Sequence, residues 1–129
     1  VCESFALPAE DVEYLDGNYP ERWCKLNGES GKHALLIKEF GIPDGFAQNT
    51  ANLMILIPPG YPGVGLDMFY LDPPLSKLKG EDPGRLDPEE HFGRIWQRWS
   101  RHYEWVPGEH DLCHHVEYVR NELEKAGLQ

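Results

Sequence analysis

Apolar residues recur at two different periods along this chain. Near the front, Leu7, Val12 and Leu15 share one face of a short helix over Pro8–Leu15, with Pro at its start, acids in its first turn and Gly17 behind it. Trp23–Leu26 and His33–Phe40 then read as strands, and the turn-rich stretch Asn27-Gly28-Glu29-Ser30-Gly31 between them predicts an antiparallel hairpin. The run Ala34-Leu35-Leu36-Ile37 predicts a central strand. Past the turn Ile42-Pro43-Asp44-Gly45-Phe46, a third strand covers Asn52–Ile57 and a fourth Leu66–Leu71, each stopped by prolines. From Leu75 to His91 the chain is polar and rich in Gly, Pro and charge, which predicts a long irregular surface segment. After Pro107-Gly108, apolar residues return at helical spacing through Leu112, Val116, Val119 and Leu123. Helix, four-stranded antiparallel meander, irregular segment and helix together make an α+β fold.

Composition narrows the class. With 129 residues the chain suits one domain, taken as 1–129, and 40% apolar residues with no long apolar run point to a globular protein rather than a membrane span. Lys and Arg number 12 against 22 Asp and Glu, a formal charge of −10 that opposes nucleic acid and anionic membrane as partners. Three cysteines without C-x-x-C spacing argue against a disulfide framework and for a reducing cytoplasm. Val1–Ser4 read as a processed end. No phosphate-binding glycine loop is present, and neither a cofactor nor a metal is assigned.

The segment Ile57-Pro58-Pro59-Gly60-Tyr61-Pro62 resembles the Pro then Tyr-Pro turn that follows the third strand of ubiquitin-conjugating enzymes, and Trp105-Val106-Pro107 resembles their Trp-x-Pro element. With Ile42–Phe46, Leu66–Tyr70 and Trp99-Ser100-Arg101-His102 added, the chain from Leu7 to Leu123 resembles prokaryotic family E of that superfamily. The structural marks of the resemblance are Tyr61, Pro62, Trp105 and Pro107. It implies a bacterial antiviral operon encoding a ubiquitin-like protein, a ubiquitin-activating-enzyme-like protein and often a deconjugating peptidase. The chain would accept the carboxy-terminal glycine of the ubiquitin-like protein and pass it to an amine. In one respect it departs from the eukaryotic pattern: Glu90 to Trp105 contains neither Cys nor Asn.

Ser100, five positions before Trp105, is the hydroxyl in the acceptor's section of the chain. An oxyester there needs a base and a stabiliser of negative charge, which His102, Arg101 and Gln97 can supply. Ser100 is equally a local capping hydroxyl. Cys113 is the alternative nucleophile, a thiol near a helix start flanked by His110 and His114. His91 can fill the structural part of the eukaryotic motif's His, while Trp96, Trp99 and Trp105 suit packing onto the sheet. Two other functions fit: an inactive conjugating fold that scaffolds the ubiquitin-like protein and activating enzyme, or a small zinc hydrolase on His110 and His114, spaced i and i+4.

Overall fold

The computed structural model describes residues 5–28 and 31–128; Val1–Ser4, and Glu29 and Ser30 of the predicted turn, lie outside the described residues. Helix α1 spans Ala9–Asn18, three residues past the predicted end, and buries Leu15 and Asp11. Six strands follow: β1 (Trp23–Asn27), β2 (His33–Gly41), β3 (Thr50–Ile57), β4 (Phe69–Asp72), β5 (Leu86–His91) and β6 (Arg94–Trp99). Helix α2 covers Leu112–Leu128 and starts four residues after Gly108, where its onset was expected.

All strand pairs are antiparallel, in the order β1-β2-β3-β4-β6-β5. The first four form the predicted meander. The last two correct the prediction: among the described residues the sheet has six strands, and the last third of the supposed irregular segment is the first arm of a hairpin. Leu86-Asp87-Pro88-Glu89-Glu90-His91 lacks an apolar period because β5 is an edge strand bonded on one side only, where Pro88 and charges are tolerated. Its two-residue turn has φ of 54° at Phe92 and 79° at Gly93, the doubly left-handed form that matches strand twist. The earlier part of the segment is also tied down. Leu75 is buried and exchanges two hydrogen bonds with the Gln97 amide, while Leu78 N–H donates to Gly45 O and Ala47 N–H to Ser76 O.

Period-two burial in β2 and β3 sends Leu35, Ile37, Leu53 and Ile55 to one face, against Leu15 of α1 and Leu112, Val116, Val119 and Leu123 of α2. Ala34, Met54, Tyr70 and Trp96 lie in a second cluster with Leu36, Leu56, Met68 and Phe92. Among the described residues no helix contributes to that second cluster, yet Met54 and Tyr70 are at most 1% exposed. The sheet curls over it instead. Phe92, in the turn of the last hairpin, packs against Gly28 in the turn of the first, and Lys32 lies over its ring. Trp96 and Trp99 are buried, as expected of packing residues, and Trp105 is half-buried.

β4 starts at Phe69 instead of Leu66 because Met68 has φ of 58°, a left-handed backbone that breaks the extended run. Between β6 and α2 the chain from 100 to 111 has no regular structure and runs across the amino-terminal half of α2.

Candidate functional site

The connection after β6 is fixed to its surroundings at successive residues. Trp105 Nε1–H donates to Pro62 O at 2.9 Å, its ring centroid stands 5.9 Å from that of Tyr61, and the missing side chain of Gly65 leaves it room. The Tyr61-Pro62 turn and the Trp105-Val106-Pro107 element thus form one unit. Tyr61 in turn donates to Asp11 at 2.5 Å, and the other Asp11 oxygen accepts from Leu112 N–H at the start of α2. Burial pushes the Asp11 carboxyl up, and burial and the Asp11 carboxylate push the Tyr61 phenol up.

Tyr103 is the next anchor. Its hydroxyl meets His115 Nδ1 at 2.8 Å, and His115 Nε2 meets Met68 O at 2.9 Å. A carbonyl only accepts, so Nε2 carries the proton and Nδ1 accepts from the phenol. His115 is fully buried, and this burial lowers its pKa to about 4, which keeps the ring neutral at physiological pH. Tyr118 Oη–H donates to His102 O at 3.1 Å, and the Arg101 guanidinium turns inward over Trp99 to pair with Glu122 at 3.4 Å. Arg101 is held by α2.

The four residues proposed for catalysis divide into two pairs. Ser100 is half-buried at the corner of a three-residue turn: Arg101 N–H donates to Trp99 O at 3.0 Å, and Ser100 N–H donates to Arg85 O at 3.1 Å. His102, two residues on, is exposed, and its Nδ1 meets Asp67 Oδ1 at 2.7 Å. The carboxylate requires the proton on Nδ1, so in the neutral ring the Nε2 lone pair is free. Both members of that pair are more than half exposed, so it is worth at most about 1 kcal/mol of stability. Its consequence is orientation. By contrast, Gln97 is spent on structure, its Oε1 accepting from Leu75 N–H and Trp99 Nε1–H and its Nε2 donating to Leu75 O. Arg101 is 7% exposed, with its charge engaged by Glu122. Ser100 and His102 remain on the solvent side, and Gln97 and Arg101 do not.

Cys113 is the second residue of α2 and half-buried. Burial, then Asp111 and Glu117, raise its thiol pKa, so local carboxylates offset what the helix dipole offers a thiolate. His110 lies ahead of α2, so the i, i+4 spacing with His114 is not a helical pair. Its Nδ1 accepts from Val106 N–H at 3.0 Å, its ring stacks on His114 at 3.9 Å, and no group of three or more metal-capable side chains is gathered among the described residues. His91 is at the far end of β5, bonded to Glu89 at 2.6 Å in a network with Tyr70 and Arg98.

Asp67, Tyr103, His115, Tyr118 and Arg85 complete the site and were not singled out by sequence. Asp67 is 35 residues from His102, and no local spacing signals the contact.

A helix, an antiparallel meander, a proline turn locked to a Trp-x-Pro element and a closing helix define the ubiquitin-conjugating-enzyme fold. The chain belongs to the prokaryotic E2 family E, which it matches over residues 7–126. That membership supports a ubiquitin-conjugating-like role and implies a ubiquitin-like protein and an activating enzyme as partners. No curated protein and no solved structure matches the chain. Among the described residues no helix is long and apolar enough to cross a membrane.

Proposed function

We propose that this chain carries a ubiquitin-like protein as an oxyester on Ser100. One observation carries the proposal: Ser100 stands at a tight corner at the end of β6, and two residues later Asp67 holds His102 with Nε2 free. Ser100 Oγ attacks the carboxy-terminal carbonyl carbon of the ubiquitin-like protein, presented as a thioester by the activating enzyme. The hydroxyl proton passes to His102 Nε2, the carbonyl electron pair moves to oxygen, and on collapse the sulfur leaves and takes the proton from His102. In the second half a target amine attacks the ester carbonyl, gives up a proton through His102, and Ser100 Oγ leaves as the hydroxyl. On this proposal a deconjugating peptidase reverses the product, and the setting is a cytoplasmic antiviral operon, supported by the family resemblance and by the free thiols of Cys24 and Cys113 among the described residues.

A non-catalytic scaffold is favoured by one observation, the engagement of both Gln97 and Arg101 in structure. Reconstitution with the activating enzyme, ATP and the ubiquitin-like protein decides between them. The expected product is an adduct that resists reductant, is cleaved by hydroxylamine or base, and is lost in Ser100→Ala. No adduct with the native chain would establish the scaffold.

A further inference from the structure

With Gln97 and Arg101 engaged elsewhere, the charge that develops on the carbonyl oxygen lacks a stabiliser among the residues singled out by sequence. The hairpin supplies another. The β5–β6 ladder ends where Leu86 pairs with Trp99, and Arg85 and Ser100 are the residues immediately beyond that pair. The two backbones are joined there, Ser100 N–H donating to Arg85 O at 3.1 Å. Arg85 therefore sits directly beside Ser100 at the mouth of the hairpin, and its long side chain starts one backbone hydrogen bond away from it. Arg85 is exposed and makes no ion pair among the described residues, whereas Arg98 and Arg101 are paired.

We propose that the Arg85 guanidinium binds the oxyanion of the acyl group transferred at Ser100. In each half of the reaction the carbonyl π pair moves onto oxygen, Arg85 N–H groups donate to it, and the pair returns when the sulfur or Ser100 Oγ departs. The charge of Arg85 is felt on the neighbouring residues, contributing behind burial to the lowered Arg101 pKa and acting on Tyr118, which holds His102 O. A guanidinium presents a planar fork of donors and stays charged at every relevant pH.

The backbone offers a clean separation of chemistry from structure. Arg85 has φ of 62°, where glycine is at ease and other residues are strained, and the bond to Ser100 uses only its carbonyl. Arg85→Gly therefore keeps the turn and removes only the side chain. Rates are read in single turnover over a range of charged activating enzyme. With Arg85→Gly the saturating rate of adduct formation should fall by roughly 10²-fold, the half-saturating concentration should hold, and aminolysis of preformed adduct by hydroxylamine should slow in parallel. Arg85→Lys should recover part of the loss, and the thermal midpoint of Arg85→Gly should match or exceed that of the native chain. Native saturating rates in Arg85→Gly, or an effect on half-saturation alone, would overturn the assignment. The proposal rests on Ser100 as acceptor, and Ser100→Ala tests that separately: an adduct surviving in Ser100→Ala refutes the carrier, whereas its loss there with no effect of Arg85→Gly refutes Arg85 alone.

Discussion

At the scale of single residues, His115 and Cys113 show how burial redirects chemistry. His115, which faces Tyr103, Asp67, His114 and Tyr118, titrates at about 4 in the folded chain against 6.5 when exposed. Between those values the unfolded chain binds a proton that the folded chain refuses, so stability is full above pH 6.5 and drains as pH falls towards 4. At about 1.4 kcal/mol per pH unit the loss is on the order of 3 kcal/mol. Urea midpoints between pH 7 and 4 should fall accordingly, and His115→Gln, which can still donate to Met68 O and accept from Tyr103, should flatten the curve. Glu89 acts in a lower window: burial raises its pKa, but His91, Tyr70 and Arg98 bring it below 4.5, so its contribution is lost only under that value. Cys113, with its thiol pushed up, should alkylate with iodoacetamide at pH 7 more slowly than a free cysteine, and Cys113→Ala should leave adduct formation unchanged. A faster reaction, or loss of the adduct, would restore the thiol as carrier.

At the scale of elements, two close approaches decide outcomes that local propensity gets backwards. Near the end of α2, a side chain at Gly127 would stand 2.6 Å from Asp44 O, and one at Gly45, where φ is 107°, would stand 2.5 Å from Gly127 O. Helix propensity alone favours Gly127→Ala by about 1 kcal/mol. Here it should instead destabilise by about 1–3 kcal/mol, because the obstruction is backbone and cannot rotate away. Denaturant midpoints check the sign, and a stabilised variant would show that the helix end is loosely seated. The last hairpin has the same character. Its edge strand reads as a loop because it needs only one set of partners, and its turn is Phe92-Gly93 instead of the Asn-Gly that marks such turns in sequence.

At the scale of the molecule, the curl of the sheet is what closes the second apolar face. Phe92 meets Gly28 across the whole width of the strand order, so truncating it opens a seam over Met54, Tyr70 and Trp96. Phe92→Ser should cost about 2 kcal/mol, less than a fully buried Phe because the ring is half-exposed, and should increase binding of an apolar fluorescent dye. An unchanged midpoint would mean that the strands alone maintain the curl. The resemblance on Tyr61-Pro62 and Trp105-Val106-Pro107 reflects a closure at the first cluster instead, since those two elements pack on each other and against it.

The sequence by itself determined the α+β class, the first four strands, both helices and the segment that holds Ser100 and His102. Each of these is written in neighbours: a period of two or 3.6, a proline stop, a hydroxyl beside an imidazole. Only the tertiary structure decided which of the candidate side chains are engaged in structural contacts. It turned Arg101 towards Glu122, tied Gln97 to Leu75, brought Asp67 to His102 and bonded Ser100 N–H to Arg85 O. The physical reason is that a hydrogen bond or ion pair between residues far apart in the chain leaves no period or composition behind, and exists only once the strands that carry its partners have paired.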